Sequence, residues 1–301
     1  MNRYSVLSPL LTRFWRSLVN QMRWHFAFVT QQRGWLLIAI AFHFLSGLLN
    51  GKQILEMNSL SSSQLPHIGD GLFLAFSGPS LGNGNLIILL AWLLNKVFFM
   101  MLIGGLVNRQ LGEHDYVVML MVKSRRIWWL GIMTTIIITA IGFVSIIIVA
   151  TLAGIATQLS WHSRLSSFFF EQGIWQAASA MTLAQITIII FCLIVSSLTV
   201  AGFIQTLIAL HTHRTIWGIF TVLTLALIAW IIGLGNNIQS WQQWLPEAQS
   251  ILSRHWPFEP RLPDFTINIS LIYNFVSILS LALIGFLLLR AFDFLGAQDD
   301  D

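Results

Sequence analysis

Long uninterrupted apolar segments constrain the fold of this chain more than any other feature. Of its 301 residues, 56% are hydrophobic and 9% charged, and the mean hydropathy is +0.75. A helix needs roughly 20 apolar residues to cross a hydrocarbon core of ~30 Å, and several segments reach that length. The apolar runs are continuous rather than alternating, which favours helices over a β-barrel. We therefore predict an all-α integral membrane protein without a soluble domain.

Six segments are predicted to span the membrane, at about 34–50, 86–107, 127–156, 181–210, 216–234 and 267–290. In front of them, in residues 6–33, apolar residues recur at helical spacing and the arginines lie on the opposite side. This pattern indicates an amphipathic elbow helix in the membrane interface. The segment from Lys52 to Asn85 is predicted to be a polar loop, and the short apolar stretch 72–76 within it is expected at the interface or dipping into the bilayer. The loop 235–266 begins with a predicted amphipathic helix, Trp241 to Leu252, that turns Trp241, Trp244 and Leu245 toward the membrane.

The distribution of lysine and arginine predicts the orientation. With six spans both termini share one side, which receives eleven of these residues, against four on the other side and Lys96 within a span. Positive residues concentrate in cytoplasmic loops, so we expect both termini in the cytoplasm and a multi-pass location in a bacterial plasma membrane. The same asymmetry explains the net charge of +4, and we expect membrane lipid and no nucleic acid as a partner.

A dense polar cluster lies between the second and third predicted spans. It carries Arg109, Lys123, Arg125 and Arg126 in a chain that is otherwise poor in charge. Within the membrane, Asn95 and Lys96 are candidate functional residues, because an ionisable side chain inside a span is costly to bury. The alternative is a structural role, in which both side chains form hydrogen bonds to a neighbouring helix, or in which the alkyl chain of Lys96 extends so that its ammonium group reaches water.

Several kinds of chemistry find no support in the sequence. No glycine-rich loop is followed by Lys-Ser or Lys-Thr, so the chain is not expected to hydrolyse a nucleotide itself. His211 and His213 are too few to hold a metal ion on their own. We therefore predict no metal or cofactor in this chain, and no catalytic activity when it acts alone.

The layout resembles the permease subunit of a type-2 ABC exporter. Six spans, the N-terminal elbow helix, the polar segment after the second span and the outer loop before the sixth span all match. Locally, Tyr116 to Trp129 resembles an Arg/Ser-rich, Trp-containing segment of small Gram-positive bacterial permeases that accompany an ATPase in bacteriocin or peptide export and immunity. The resemblance covers nearly the whole chain, and it rests on architecture more than on residue matches.

The resemblance implies specific partners and contacts. A second permease copy, identical or different, would complete a dimer, and a separate ABC ATP-binding subunit would supply ATP and Mg. The coupling segment that docks on this ATPase would be Arg109, Gly112, Glu113, His114, Asp115 and Tyr116, and a second cytoplasmic contact would be His211, His213 and Arg214. The residues that would anchor the third span at lipid headgroups are Lys123, Arg125, Arg126, Trp128 and Trp129.

Three other functions stay open at this point. One is a membrane immunity or scaffold protein that binds a toxin or a sensor without transport. Another is an enzyme within the bilayer, which would need Asn95, Lys96, Gln185, Ser196 and Gln205 to converge. The third is a secondary transporter, which the absence of repeated halves and of acidic residues within the spans makes harder to build.

Overall fold

The computed structural model describes residues 4–61, 65–79, 86–110, 125–166, 181–234, 240–259 and 261–291. Within these ranges the chain is mostly helical and contains no strand. The α-helices are α1 (Tyr4–Gln31), α2 (Arg33–Ser61), α3 (Ile68–Phe76), α4 (Leu86–Gln110), α5 (Arg125–Ala156), α6 (Leu183–Thr212), α7 (Thr215–Gly233) and α8 (Ile267–Ala291). Three short 3-10 helices, Ser240–Trp244, Pro246–Ser250 and Leu252–Arg254, lie between α7 and α8.

Six of these helices are long and apolar enough to cross a membrane. The candidate spans are Arg33–Glu56, Ile88–Asn108, Arg125–Ala156, Leu183–Thr212, Thr215–Gly233 and Ile267–Leu289. The predicted fold class, an all-α membrane protein without a soluble domain, is confirmed. We name the side of the bundle that carries Asn108, Arg125 and the turn 211–215 the turn face, and the opposite side, which carries α3, the loop face.

Helix α2 continues well beyond the predicted end of the first span. It runs to Ser61, although the sequence from Lys52 onward was predicted to be a polar loop. Lys52 and Glu56 form an exposed ion pair at 3.7 Å, and such pairs four residues apart stabilise helices in water. The polar extension is therefore helical, and the prediction of a loop starting at Lys52 is wrong.

The contact between α2 and α5 is close enough that two glycines are required. A Cβ atom at Gly47 would collide with the carbonyl of Thr151, and a Cβ at Gly154 would collide with the carbonyl of Phe44. Small residues of this kind let two helix backbones approach each other within a membrane. This crossing joins the first and third spans along the half of the bundle next to the loop face.

Helix α1 packs on the turn-face half of α5 through polar side chains. Gln21 Nε2 donates to the carbonyl of Trp128 at 3.2 Å, and His25 Nδ1 lies 3.2 Å from Thr135 Oγ1. Burial lowers the pKa of His25 to about 4. The face of α1 that meets the bundle is thus more polar than the sequence pattern indicates, while its position in a membrane interface stays a prediction.

The apolar stretch after the first span is part of the protein core. Leu72, Phe73 and Phe76 of α3 are at most 6% exposed, so α3 is covered by protein rather than by lipid. Asp70 holds its position, because its carboxylate accepts hydrogen bonds from the backbone N–H of His67 at 2.7 Å and of Ser166 at 3.0 Å. Asp70 thereby ties two connections of the loop face together.

The segment 240–259, which we name the inserted loop, folds back between the spans. Six of its polar side chains are at most 5% exposed, namely Glu247, Gln249, Ser250, Ser253, Arg254 and His255. The amphipathic helix predicted from Trp241 to Leu252 is not formed. Pro246 has no N–H and cannot continue a helix from the preceding residues, so one 3-10 helix ends at Trp244 and the next begins at Pro246. Trp241 and Trp244 are exposed, whereas Leu245 is half-buried and packs against Ala248, Leu262 and Phe265. That the two tryptophans face the membrane stays a prediction.

Candidate functional site

Most of the predicted coupling segment falls outside the described residues. Arg109 lies in the last turn of α4, and the structure does not describe its side chain. The residues of the predicted docking and anchoring sets that lie outside the described ranges are Gly112, Glu113, His114, Asp115, Tyr116 and Lys123. Their roles therefore stay predictions.

The second predicted cytoplasmic contact is an exposed tight turn between α6 and α7. His211, His213 and Arg214 are all exposed, and His213 ends α6 with a left-handed φ of 55°. Thr215 Oγ1, at the first residue of α7, donates to Asn108 Oδ1 near the end of α4 at 2.6 Å. The turn and the start of the predicted coupling segment consequently belong to one surface.

The two tryptophans predicted as headgroup anchors have a different role. Trp128 and Trp129 are 1% and 0% exposed, and Trp129 Nε1 donates to the carbonyl of Ala282 in α8 at 3.0 Å. A residue buried in this way cannot reach lipid headgroups, so this part of the prediction is wrong. Arg125 and Arg126 are exposed, and their role as anchors stays a prediction.

Lys96 is buried among partners from three different elements. Its ammonium group forms an ion pair with Glu247 of the inserted loop, and lies 3.5 Å from Ser197 Oγ of α6 and 3.4 Å from Ser250 Oγ. It also lies 4.7 Å from the centre of the Trp92 ring, where a cation is attracted by the negative face of the indole. The three N–H donors of Lys96 thus have three acceptors.

The ion pair has a large energetic consequence because both members are out of water. Lys96 and Glu247 are each 2% exposed, and removing one partner of such a pair leaves an uncompensated charge at a cost of about 3–5 kcal/mol. Lys96 lies ten residues into α4 from Leu86, or ~15 Å along the helix. Glu247 therefore fixes the inserted loop to the interior of the bundle.

The sequence pointed to Lys96 but not to Glu247. One of the two structural alternatives for Lys96 placed its partners on a neighbouring helix. Ser197 of α6 agrees with that prediction, but the residue of opposite charge, Glu247, belongs to the inserted loop. A secondary transporter is disfavoured by the sequence because its spans contain no acidic residue, but Glu247 of the inserted loop brings an acidic group among the spans. The sequence did contain one signal for such a partner, because an ammonium group buried within a span needs an acidic group to pair with.

The other three polar residues predicted for a site within the bilayer do not converge with Lys96. Gln185 caps the first turn of α6 together with Thr182. Ser196 accepts a hydrogen bond from Asn274 Nδ2 of α8 at 2.8 Å, and Gln205 Nε2 donates to the carbonyl of Met100 at 3.0 Å. Ser196 and Gln205 thus join helices, whereas Gln185 caps one, and this arrangement gives no support to an enzyme within the bilayer.

A cavity of about 670 Å³ adjoins the buried ion pair. It lies between α2, α3, α4 and α6, and its walls are mostly apolar, with Leu45, Ala91 and Leu198 among them. The polar groups Asn95, Lys96, Ser197 and Ser250 lie together on its wall. Its volume falls within the range of about 300–1,000 Å³ typical of small-molecule sites.

Asn95 is the second intramembrane candidate, and it lines this cavity. Its side chain is 9% exposed, and its Oδ1 atom accepts no hydrogen bond from the part of the chain that the structure describes. The His43 side chain interacts with Asn95, but the contact is not a well-formed hydrogen bond, since His43 Nε2 also has no such partner among the described residues. Asn95 therefore presents an unsatisfied acceptor, and such a group is costly when it is buried without a donor.

Comparisons with known proteins leave the family open, since no family model matches the chain and no curated protein matches it. The fold and the buried site define the class directly. The protein is an all-α membrane protein with six apolar helices of spanning length, an inserted loop held by a buried ion pair, and a cavity between its helices.

Proposed function

We propose that the protein is the membrane-spanning permease subunit of an ABC exporter. A separate ATPase subunit, holding ATP and Mg, would drive the export of a hydrophobic or amphipathic substrate such as a peptide. The observation that carries this proposal is the 2.6 Å hydrogen bond between Thr215 and Asn108. It unites the two predicted ATPase contacts, the turn 211–215 and the segment that starts at Arg109, on one surface.

The helices that lead from this surface also reach the buried site. Asn108 and Lys96 are twelve residues apart on α4, so ~18 Å of continuous helix separates them. Helix α6 similarly carries Ser197 at the cavity and His211 at the turn face. A movement of the turn face would thus be transmitted through stiff elements to the ion pair and the cavity, as coupling to a partner ATPase requires.

The proposal includes an orientation and an assembly. The turn face would lie in the cytoplasm of a bacterium, both termini included, and two permease copies would associate in the plasma membrane. The side chains of His211, His213 and Arg214 are exposed, so this surface is accessible to a partner. Export of a bacteriocin or peptide, or an associated immunity function, fits an apolar cavity next to the membrane-spanning helices.

Co-purification tests this proposal. The chain is expressed together with the products of its neighbouring genes, extracted in a mild detergent and purified through a tag. We expect an ATP-binding subunit in stoichiometric amount, and we expect Glu113→Gln with Asp115→Asn to reduce its recovery. Glu56→Gln is the matched control, because Glu56 is an exposed acid at the end of the first span that lies on the loop face.

The result distinguishes the permease from its main alternative. A protein that never retains an ATP-binding subunit, and that performs its cellular role in cells lacking the adjacent ATPase, would be an immunity or scaffold protein instead. Equal recovery of the ATPase with the Glu113 and Asp115 variants would remove these two residues from the docking surface while leaving the permease proposal in place.

A further inference from the structure

The cavity beside Lys96 opens toward the surface of the bundle that lipid would cover. Leu45 and Leu49 of α2 and Leu90 of α4 line it and are 55%, 69% and 56% exposed. Leu49 and Leu90 lie in the halves of α2 and α4 near the loop face, and Leu45 lies close to the middle of α2. A molecule with a hydrocarbon chain could therefore enter sideways, between α2 and α4, without first passing through water.

The charge around the cavity determines which polar group suits it. Lys96 is the one formally charged side chain among the described residues of its wall, and Glu247 already neutralises it. The nearby hydroxyl groups of Ser197 and Ser250 take up its remaining donors. An additional anion or cation would be desolvated here without a free counter-charge, which is expensive. The site therefore favours a ligand whose inserted polar group is uncharged.

Asn95 specifies the ligand more closely. Its Oδ1 atom accepts no hydrogen bond of ordinary length from the described residues, although the His43 side chain interacts with Asn95. The Asn95 side chain is on the cavity wall. A hydroxyl or an amide N–H would supply that donor, whereas an ester or an ether would not. Two independent features, the neutralised lysine and the unsatisfied asparagine, thus converge on the same chemistry.

We propose that this cavity binds a membrane-partitioned amphipath consisting of one long hydrocarbon chain and an uncharged hydrogen-bond donor, such as a hydroxyl or an amide. Leu45, Leu49 and Leu90 guide the chain from the bilayer, the apolar walls enclose it, and Asn95 accepts the hydrogen bond. As an assignment of substrate class this rests on the proposed function, but the binding itself needs no ATPase.

Photolabelling of the purified full-length chain in lipid nanodiscs tests the proposal. The probe is hexadecanol carrying a diazirine on its chain, and the competitors are unlabelled hexadecanol, hexadecyl sulfate and hexadecyltrimethylammonium below their micellar concentrations. We expect saturable labelling of peptides covering 42–53 or 88–96. Hexadecanol should compete at least several-fold better than either charged competitor. Labelling spread evenly over all spans, or equal competition by the three compounds, would overturn the proposal.

Two variants and a matched control locate the site. Ala91→Phe fills the cavity from its α4 wall and should abolish saturable labelling. Ala184→Phe makes the same change on an exposed position of α6 outside the cavity and should leave labelling unchanged. Asn95→Leu keeps the volume but removes the acceptor, and should weaken the competition by hexadecanol roughly two- to tenfold, the worth of one neutral hydrogen bond. Unchanged labelling in folded Ala91→Phe would contradict the site.

The outcomes separate this site from the proposed function. Labelling of the cavity in a chain that retains no ATPase would support the site and contradict the permease. An ATPase that co-purifies while the cavity stays unlabelled would support the permease and place its substrate elsewhere. The order of the three competitors is measured on the unaltered chain, so it decides the ligand chemistry even if a variant does not fold.

Discussion

Lys96 carries a charge ~15 Å along α4 from the helix start, and a residue in a different part of the chain neutralises it. Its partner Glu247 is 151 positions later in the sequence. The sequence marks Lys96 as unusual because it interrupts an apolar span. It does not mark Glu247, because an acid in a polar, proline-containing loop is ordinary until the loop is known to fold inward. Pairing of this kind depends on tertiary structure and has no periodic signature.

A double-mutant cycle measures the contribution of this pair. Lys96→Met leaves the Glu247 carboxylate buried without its ammonium partner, so unfolding of the detergent-solubilised protein should become easier by about 3–5 kcal/mol. The double variant Lys96→Met with Glu247→Leu should recover most of that loss. The exposed pair Lys52 and Glu56 is the control, and its single substitutions should cost about 1 kcal/mol or less. Additive losses at Lys96 and Glu247 would contradict the pairing.

Asp70 supports the loop face through two backbone N–H groups, so its substitution has a local signature. Asp70→Leu should expose the amides of His67 and Ser166 to hydrogen exchange, because each loses its acceptor at a cost of about 1–3 kcal/mol. Asp70→Asn should cause a smaller increase in exchange, because asparagine keeps one acceptor oxygen. Loss of the negative charge should matter less here, since burial raises the pKa of Asp70 and so disfavours its charged form. Hydrogen exchange followed by mass spectrometry measures both, and equal exchange in the two variants would contradict this account.

At the scale of helices, prediction succeeded where apolar residues are continuous and failed where polar residues are packed. The predicted spans coincide with apolar helices to within a few residues at most ends. The helical extension of α2 past Lys52 was missed because its residues are polar. The inserted loop was predicted to lie along the membrane on the strength of Trp241 and Trp244. Its buried residues, from Glu247 onward, are too polar for the pattern of a core segment.

The close crossing of α2 and α5 predicts opposite effects for two glycine substitutions in the same helix. Gly154→Ala places a methyl group against the carbonyl of Phe44 and should destabilise the protein by about 1–3 kcal/mol through overpacking. Gly142→Ala meets no atom of the described residues within 4 Å and should stabilise the protein by up to ~1 kcal/mol through helix propensity. Thermal unfolding in detergent compares the two variants. Similar unfolding midpoints for both would show that the backbones of α2 and α5 leave room for a methyl group at position 154.

For the whole molecule, composition and apolar segment length were sufficient to predict the class. In lipid every backbone polar group must form a hydrogen bond within the protein. Six long apolar segments are therefore most simply accommodated as helices. The cavity could not be predicted in the same way, because it results from the joint placement of α2, α3, α4 and α6. The role of the turn face in docking was inferred from a resemblance in layout, and it stays a prediction.

The stability of the whole protein should decrease in mild acid. Burial lowers the pKa of His25 and of His255 to about 4, against 6.5 when unfolded. The unfolded chain therefore binds more protons between pH 6.5 and 4, and stability is lost as pH falls through this window. Each group should cost about 2 kcal/mol at pH 5. Asp70, with its raised pKa, acts in the opposite direction at lower pH.

Unfolding midpoints between pH 7.5 and 5 measure this dependence. The double variant His25→Gln with His255→Gln should have a clearly flatter profile than the unaltered protein, whatever its stability at neutral pH. A profile of the same slope in both proteins would show that these two histidines do not carry the acid sensitivity.

Site-specific photo-crosslinking tests the proposed partnership with an ATPase most directly. A photoreactive amino acid replaces Glu113, His213 or the exposed Trp161 of the loop face in cells that co-express the ATP-binding subunit encoded beside this chain. We predict crosslinks to that subunit from positions 113 and 213, and none from position 161. Two results would contradict the proposal that this protein is an ABC permease that docks its ATPase on the turn face. One is the absence of crosslinks from both positions 113 and 213, and the other is an equally strong crosslink from position 161.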